Sequence, residues 1–331
     1  MSDMDFEKLF SGFTQLKVAV IGDIMLDTYW WGKVDRISPE APVPVVAVIK
    51  KEQRIGGGAN VAFNVHSLGA NVSVLSIIGK DDDGEQLMKL LETSGIGTKY
   101  IVQSAERITT NKIRIISRNQ HMLRLDAEMA EDISTANEDK LLYAVEQFIA
   151  AESPDVMIFE DYNKGVLTPL IIDGVISLCK KHNIITTVDP KRKNFLAYKG
   201  VDIFKPNFKE VKEGLNLPAD DISLNLLKDI HVLLQERLNH KVSFITLSEK
   251  GVFYQQDKQA ALLPTHIRDI ADVSGAGDTV IAVASLVYAV SKDAALMAQV
   301  SNIAGGMVCE EVGTVAIDAK KLKAECSLLL G

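Results

Sequence analysis

The stretch Leu16-Lys17-Val18-Ala19-Val20-Ile21-Gly22-Asp23 is a run of branched apolar residues that ends in a glycine and an acid. Such a run predicts a strand that is buried on both faces. Similar runs recur along the chain, separated by amphipathic stretches of helical period. Further strands are predicted at Val72–Ile78, Val156–Phe159, Ile184–Val188 and Val242–Leu247, and helices at Glu85–Leu91, Glu138–Ala150, Leu167–Lys181 and Leu224–Leu238. This alternation predicts an α/β fold whose central, mostly parallel sheet is flanked by helices.

Two segments interrupt the alternation. Val43–Ile49 and Lys112–Leu125 are predicted to be extended, without helices of their own. We expect them to build a small β-lid over the strand ends, from lid segments at about residues 28–55 and 108–126; an extra edge of the main sheet is the alternative. Because no linker or repeat divides the chain, we expect a single domain over residues 1–331.

Composition narrows the class of protein. The 331 residues carry a net charge of −8, which does not favour a nucleic-acid partner. The three cysteines form no CxxC pair, which argues against disulfides and a zinc site. The longest apolar stretch, Val280–Val290, is too short to cross a membrane, and the acidic N-terminus does not resemble a signal peptide. We therefore expect a cytoplasmic protein without a membrane partner.

The segment Asp272-Val273-Ser274-Gly275-Ala276-Gly277-Asp278 precedes an apolar helix. Small residues at a helix N-terminus let backbone amides surround an anion, and the helix dipole adds to this. Asp278 is then well placed to take a proton from an attacking hydroxyl. The alternative is that Asp278 is only the N-cap of the helix.

A second glycine run, Gly56–Asn64, opens another predicted helix and would allow a ligand close to the backbone. A tight turn is the alternative. The chain contains no GxxxxGK[ST] and no G-x-G-x-x-G after its first strand, so neither a P-loop nor a dinucleotide fold is indicated. The first strand leads instead into Gly22–Asp27, whose two carboxylates could hold hydroxyl groups.

Two later segments have equally open interpretations. Asn207 and Glu210 share the first turn of a predicted helix, where they could serve a hydrated Mg²⁺ or form a capping box. Thr246–Gly251 follows a strand and could hold a nucleotide or be a hairpin. Histidines in metal-ligand spacing and a G-x-S-x-G motif are both missing, so metal and serine hydrolases lack support.

In this order, the segments resemble the ribokinase-like (PfkB) family of carbohydrate kinases from about residue 16 to the end. The resemblance implies Asp278 as catalytic base, with an anion hole from the amides of Gly275, Ala276 and Gly277. It implies ATP with Mg²⁺, a possible monovalent cation, and a homodimer formed through the lid. The implied sugar-binding residues are Asp27, Gly57, Gly58, Asn60 and Asp161. The implied nucleotide-binding residues are Asn207, Glu210, Ser248, Gly251 and Asn302, of which Asn207 and Glu210 are also expected to serve Mg²⁺ through water.

Within this family the chain is similar to the heptose-7-phosphate kinases of ADP-heptose synthesis. The strings that carry this similarity are Asp35–Val46, Ser117–Gln120, Asp161–Gly165 and Asp189–Lys191. The implied reaction moves the γ-phosphoryl of ATP to O1 of D-glycero-D-manno-heptose 7-phosphate, giving the 1,7-bisphosphate for the lipopolysaccharide core. The cations considered for the 7-phosphate are Arg118, Arg124, Lys164 and Lys191.

Two departures from the family pattern bear on these expectations. Ser274 stands where the family usually has Thr, and no HxGH motif of adenylyl transfer is present. We therefore expect the kinase step alone, with a separate adenylyltransferase. The alternatives are a kinase for a fructose phosphate or a nucleoside, a catalytically silent subunit, and, least favoured, a nucleotidyltransferase.

Overall fold

The computed structural model describes residues 5–118, 120–218, 221–266, 268–311 and 313–331. Its strands are β1 (Lys17–Gly22), β2 (Ile24–Ile37), β3 (Pro44–Gly57), β4 (Asn71–Gly79), β5 (Gly97–Ser104), β6 (Thr110–Ser117), β7 (Gln120–Ala127), β8 (Val156–Glu160), β9 (Ile185–Asp189), β10 (Ile203–Phe204), β11 (Val242–Thr246), β12 (Val252–Gln256) and β13 (Gln259–Leu263). Its α-helices are α1 (Phe6–Phe13), α2 (Gly58–Ser67), α3 (Asp82–Thr93), α4 (Thr135–Glu152), α5 (Pro169–Lys181), α6 (Phe208–Leu215), α7 (Leu224–Leu238), α8 (Ala276–Ser291), α9 (Ala294–Val308) and α10 (Ala319–Leu330). Short 3₁₀ turns cover Arg192–Asn194 and Ser248–Lys250.

The main sheet has the strand order β13-β12-β11-β10-β9-β8-β1-β4-β5. The pairs from β11 across to β5 are parallel, whereas β12 pairs antiparallel with both β11 and the edge strand β13, so β12 alone among the described strands of this sheet runs against the rest. The predicted central, mostly parallel sheet is confirmed.

Helices cover both faces of this sheet, as its apolar strands require. Along β1, Val18 and Val20 face a core shared with α1, α2, α8, α9 and α10. Ala19 and Ile21 point the other way, into a core shared with α4, α5, α6 and α7. In the described part of the chain, no helix is both long and apolar enough to cross a membrane.

The remaining four strands form a second sheet of order β3-β2-β6-β7, which we call the lid sheet. It contains both segments predicted as lid strands. β2 leaves β1 after a single residue, Asp23, and pairs with β3 as a long hairpin from Ile24 opposite Gly57. The lid sheet is thus joined directly to the end of the first strand.

Candidate active site

Polar side chains gather at the carboxyl edge of the main sheet, around β1. This strand lies between β4 and β8, so the chain progresses in opposite directions on its two sides. In open α/β sheets, ligands bind at such a switch point, beyond the carboxyl ends of the strands. The segments that follow β1, β8, β9 and β10 meet the N-termini of α2 and α8 there.

Asp278 lies in the first turn of α8, and both of its carboxylate oxygens are held. Asn60 donates from Nδ2 to Oδ2 at 2.7 Å, and the phenol of Tyr162 donates to Oδ1 at 2.8 Å. Burial raises the pKa of Asp278 to about 6, although the two donors act to lower it. The carboxylate is therefore ionised at neutral pH but more basic than an exposed aspartate, which suits a group that accepts a proton from a hydroxyl.

The alternative role of Asp278 as a helix cap does not fit the structure. The N-cap of α8 is Gly275, which has no side chain to cap with. Its φ of 78° lies in the left-handed region, and a Cβ there would lie 3.0 Å from Asn60 Nδ2. Glycine at this position therefore lets Asn60 reach Asp278.

The N-terminus of α8 carries the predicted anion hole. The amide of Ala276 donates to the carbonyl of Val273 at 3.3 Å, so one of the three predicted amides is already engaged. The amide of Gly277 lies in the first turn, where helices leave N–H groups without an intrahelical acceptor. Binding of an anion by these amides stays a prediction.

The glycine run before α2 packs against the end of β8. Gly57 has a φ of 59°, and the amide of Gly58 donates to the carbonyl of Asp23 at 2.9 Å. A Cβ on Gly58 would lie 3.2 Å from Cβ of Glu160. These glycines bring the start of α2, and with it Asn60, against the strand ends.

Two lysines neutralise the carboxylate at the end of β9. Lys205 is only 2% exposed, and its Nζ donates to Asp189 Oδ2 at 2.8 Å and to the carbonyl of Gly277 at 3.5 Å. Lys191 donates to Asp189 Oδ1 at 3.0 Å and to Glu210 Oε1 at 2.6 Å. Burial would raise the pKa of Asp189, but the two lysines hold it below its ordinary value.

Glu160 ends β8 with its side chain wholly buried. Neither carboxylate oxygen has a hydrogen-bond partner among the described residues. Burial, and then the charges of Asp189 and Asp278, raise the pKa of Glu160 well above its ordinary value. A protonated Glu160 leaves three carboxylates, Asp189, Glu210 and Asp278, near the two lysines Lys191 and Lys205.

Asn207 and Glu210 form the capping box at the start of α6. Asn207 Oδ1 accepts from the Glu210 amide at 2.9 Å, and Glu210 Oε2 accepts from the Asn207 amide at 2.8 Å. Since Lys191 occupies the other Glu210 oxygen, these side chains suit a Mg²⁺ ion bound through water better than direct ligation. No group of three potential metal ligands occurs in the described part of the chain.

Two of the residues predicted on the nucleotide side, Gly251 and Asn302, meet at Pro264. Ser248 begins the turn between β11 and the antiparallel β12, and a Cβ on Gly251 would collide with the carbonyl of Leu263. Asn302 of α9 donates to the carbonyl of Pro264 at 2.7 Å. The segment that follows β11 is thus a hairpin connection, and its nucleotide contacts stay a prediction.

The lid sheet presents a charged face through Asp27, Tyr29, Arg54, Lys112 and Arg114, which we call the inner face. These residues are paired across strands in register, so their side chains share one side of the sheet. Asp27 is buried in an ion pair with Arg114, and Arg54 and Arg114 lie 5.0 and 5.2 Å from the ring centroid of Tyr29. Burial, followed by the nearby Lys164, lowers the pKa of Lys112.

Three residues predicted to contact the substrate have surroundings in the structure that differ from those expected. Both carboxylate oxygens of Asp161 are used within the protein, by the phenol of Tyr198 at 2.7 Å, by Asn194 at 3.1 Å and by the amide of Asn163 at 2.8 Å. Lys191 is bound to the sheet-edge carboxylates rather than placed beside the lid cations. Arg118 is exposed in the hairpin turn between β6 and β7.

Three residues of the cluster were not predicted to act. Tyr162 belongs to the quoted string Asp161–Gly165, and Lys205 directly precedes the Pro206-Asn207 pair. Glu160 directly follows the predicted strand Val156–Phe159, and the family resemblance assigns the sugar contact to its neighbour Asp161. A position at the end of a buried strand was the available signal in the sequence. The burial that makes such a residue reactive depends on packing, which the sequence does not show.

The chain is similar to proteins described as bifunctional protein HldE. It is 37% identical to that of Sulfurimonas denitrificans over 316 residues, covering 96% of this chain and 65% of the relative. It is 40% identical to that of Aliarcobacter butzleri over 301 residues, covering 90% of this chain and 61% of the relative. The chain thus spans somewhat less than two thirds of the length of these relatives.

Solved structures share the fold at low sequence identity. Phosphofructokinase-2 from Escherichia coli in complex with potassium has a TM-score of 0.77 at 18% identity, covering 95% of this chain and 100% of that one. Arabidopsis thaliana ribokinase complexed with ribose and ATP has a TM-score of 0.71 at 15% identity, covering 93% and 98%. A model of the pfkB family carbohydrate kinases matches residues 15–321. The chain belongs to the pfkB family of carbohydrate kinases, which are phosphotransferases with an alcohol group as acceptor.

Proposed function

We propose that the chain transfers the γ-phosphoryl group of ATP to O1 of D-glycero-D-manno-heptose 7-phosphate. The observation that supports this most is the Asp278 carboxylate, fixed by Asn60 and Tyr162 at the N-terminus of α8. A basic carboxylate beside free helix amides suits deprotonation of a hydroxyl next to a transferred phosphoryl group. The strings similar to heptose-7-phosphate kinases, including Asp161–Gly165, support the choice of sugar.

In this proposal the residues around β1 position the acceptor. Asn60 and Asp27 orient the sugar so that its O1 hydroxyl meets Asp278, which takes the proton as the new P–O bond forms. Charge that develops on the transferred group is stabilised by the amides of α8, by the buried Lys205 and by the partly exposed Lys191. Asp161 is left out of these contacts, because its oxygens are already used within the protein.

The proposal places ATP toward the Ser248–Gly251 turn and Asn302, on the far side of α8 from the sugar. Mg²⁺ bound to the phosphates neutralises their charge and orients them. Glu210 and Asn207 would hold it through water, since their oxygens already accept hydrogen bonds within the capping box. A monovalent cation stays an expectation.

The 7-phosphate of the acceptor is proposed to bind the inner face of the lid sheet. Lys112 and Lys164 lie close enough for the charge of Lys164 to lower the pKa of Lys112. A bound phosphate dianion would offset this repulsion between the two cations. Arg124, in register with Arg114 on the same face, adds a guanidinium that can grip phosphate with two hydrogen bonds. Lys191 is proposed to stabilise the transferred phosphoryl group and not the 7-phosphate.

The opposite, outer face of the lid sheet is proposed as the homodimer interface. Leu123 and Leu125 of β7 are paired in register with Ile115 and Ile113 of β6. Leu123 is 53% and Leu125 43% exposed. A second copy of the chain would cover these side chains while leaving the inner face to the substrate.

The test is a comparison of acceptors by ADP release, with ³¹P NMR of the product. We expect kcat/KM for the heptose 7-phosphate to exceed those for unphosphorylated heptose, fructose 6-phosphate and nucleosides by at least about tenfold. A higher value for a fructose phosphate or a nucleoside would overturn the choice of sugar alone. Nucleotide binding without ADP release on any acceptor would indicate a silent subunit, and release of pyrophosphate would indicate nucleotidyl transfer.

A further inference from the structure

The contact between Tyr162 and Asp278 joins the base to the loop between β8 and α5, in which Tyr162 itself has no part in the proposed chemistry. Tyr162 lies in the segment between β8 and α5, and its phenol reaches Asp278 Oδ1 at 2.8 Å. Lys191 Nζ lies over the same ring, 5.8 Å from its centroid. The ring is therefore held at its hydroxyl and over its face.

The backbone of this loop is fixed by one buried carboxylate. Asp23 accepts hydrogen bonds from the amides of Tyr162 at 2.9 Å, Lys164 at 3.0 Å and Val166 at 3.1 Å. Asp23 is itself 2% exposed and sits in the single-residue link between β1 and β2. Three amides on one carboxylate leave the loop little freedom to withdraw the phenol.

We infer that Tyr162 is a positioning residue for the base: with Asn60 it fixes the Asp278 carboxylate, and Asp23 holds it in place through the loop backbone. The inference deepens the proposed function and rests on Asp278 being the base. Asn60 and Tyr162 each occupy one carboxylate oxygen, and each oxygen keeps a lone pair for the acceptor hydroxyl. Two donors on the anionic form also make the carboxylate a weaker base than burial alone would.

The phenol can act as a donor at every working pH. Burial, and then the charge of Asp278, raise the pKa of Tyr162 well above its ordinary value, so that the hydroxyl keeps its proton. Other charged and titratable groups face this pair from the neighbouring strand ends. They are Glu160 of β8, Asp189 of β9, Lys191 after β9 and Lys205 after β10.

Tyr162→Phe removes the donor and keeps the ring. Because the carboxylate form of Asp278 loses a hydrogen bond, its pKa rises and the acid limb of the kcat–pH profile moves to higher pH by about one unit. At a pH on that limb, kcat falls about tenfold, while KM for ATP changes little. A ¹³C NMR titration of the Asp278 carboxyl, assigned by its loss in Asp278→Asn, should move in the same direction and requires no substrate.

Tyr198→Phe is the matched control, because it removes a buried phenol that donates to a different carboxylate, that of Asp161, at 2.7 Å. It should lower thermal stability and leave the Asp278 titration where it is in the wild-type chain. The inference is overturned if Tyr162→Phe leaves that titration unmoved, or if both variants shift it equally. If the titration shifts but no sugar is phosphorylated, the proposed function fails and the positioning contact stands.

Discussion

The main sheet carries apolar side chains on both faces, whereas the lid sheet carries charge on one face and exposed apolar side chains on the other. The charged groups of the candidate site lie at the ends of the main-sheet strands, where Asp189, Lys205 and Asp278 are buried and held by fixed partners. On the lid sheet, charged groups such as Arg114 and Lys112 lie along the strands and keep part of their surface in solvent. The main sheet thus holds its reactive groups in one fixed arrangement, whereas the charged groups of the lid sheet can change their contacts when ligands bind.

The comparison is tested most directly at Asp278. Asp278→Asn should fold and bind ATP, and should lose at least about a hundredfold in kcat, since the amide cannot accept the proton. Steady-state ADP release and a calorimetric ATP titration measure the two effects. Asp293→Asn, at the N-cap of α9, should alter stability only. Near-normal kcat in Asp278→Asn would contradict the role of this residue as base.

Lys205 tests the buried cluster of the main sheet. Lys205→Met leaves Asp189 with only part of its compensating charge, so the free energy of unfolding should fall by about 3 kcal/mol. Urea denaturation measures this. The control is Lys241→Met, which breaks a pair with Asp202 whose lysine is 67% exposed, and should cost less than about 1 kcal/mol. Equal losses would mean that the strand-end cluster is not specially sensitive to charge.

Lys112 tests the inner face of the lid sheet. Lys112→Ala should lower kcat/KM for heptose 7-phosphate by about tenfold and leave the value for unphosphorylated heptose nearly unchanged. Lys51→Ala is the matched control, because Lys51 is a lid lysine on the outer face, 4.6 Å from the ring centroid of Trp30. A proportionate loss on both acceptors would exclude recognition of the phosphate by Lys112.

Leu125 tests the outer face of the lid sheet. Leu125→Glu places a charge in the proposed interface and should raise the dimer dissociation constant by about tenfold or more, as measured by analytical ultracentrifugation. Tyr143→Glu adds the same charge at a 63% exposed site on α4 and should leave the dissociation constant unchanged. A wild-type chain that stays monomeric, or a dimer that tolerates Leu125→Glu, would place the interface elsewhere or exclude it.

Glu160 gives the smallest expected effect. Because the folded chain binds its proton more tightly than the unfolded chain, its contribution to stability is complete below the ordinary glutamate pKa and is lost as the pH rises through the raised value. As the pH rises from ~5 to ~8, loss of the Glu160 proton should lower the unfolding free energy of the wild-type chain by about 1 kcal/mol. Glu160→Gln lacks this contribution, so its unfolding free energy should fall by that much less over the same range. Parallel pH profiles of denaturation midpoints for the two proteins would contradict a protonated Glu160.

Much of the fold could be predicted, because a strand buried on both faces leaves a continuous apolar run. The runs that begin at Leu16, Val72 and Val156 differ from β1, β4 and β8 by at most one residue at each end. β2 was not predicted, since its lid half alternates charged and apolar residues and it follows β1 after one residue. The hairpin of β12 and β13 was also missed, because its edge strands are short and half polar.

Only those residues of the site that belong to a recognisable sequence motif could be predicted. The two glycine runs and Asp278 are visible in the sequence, and the predicted family is confirmed. The partners of Asp278 are a different matter: Tyr162 and Asn60 reach it from segments with no sequence relation to α8. Likewise, Asp161 and Glu160 are adjacent acids, and only packing shows that both oxygens of Asp161 accept hydrogen bonds while those of Glu160 find no partner among the described residues.

The hydrogen bonds of the base have a consequence for how the chain folds. Asp278 lies 218 residues from Asn60 and 116 from Tyr162, and Asp23 lies 139 residues before the amide of Tyr162 that it holds. Contacts this distant require large loops to close before they contribute any stability, and they form slowly for that reason. During synthesis, the β1–β8 neighbourhood can order while α8 is still missing. Catalytic competence should therefore appear as a late and separate event in refolding, after most secondary structure has formed.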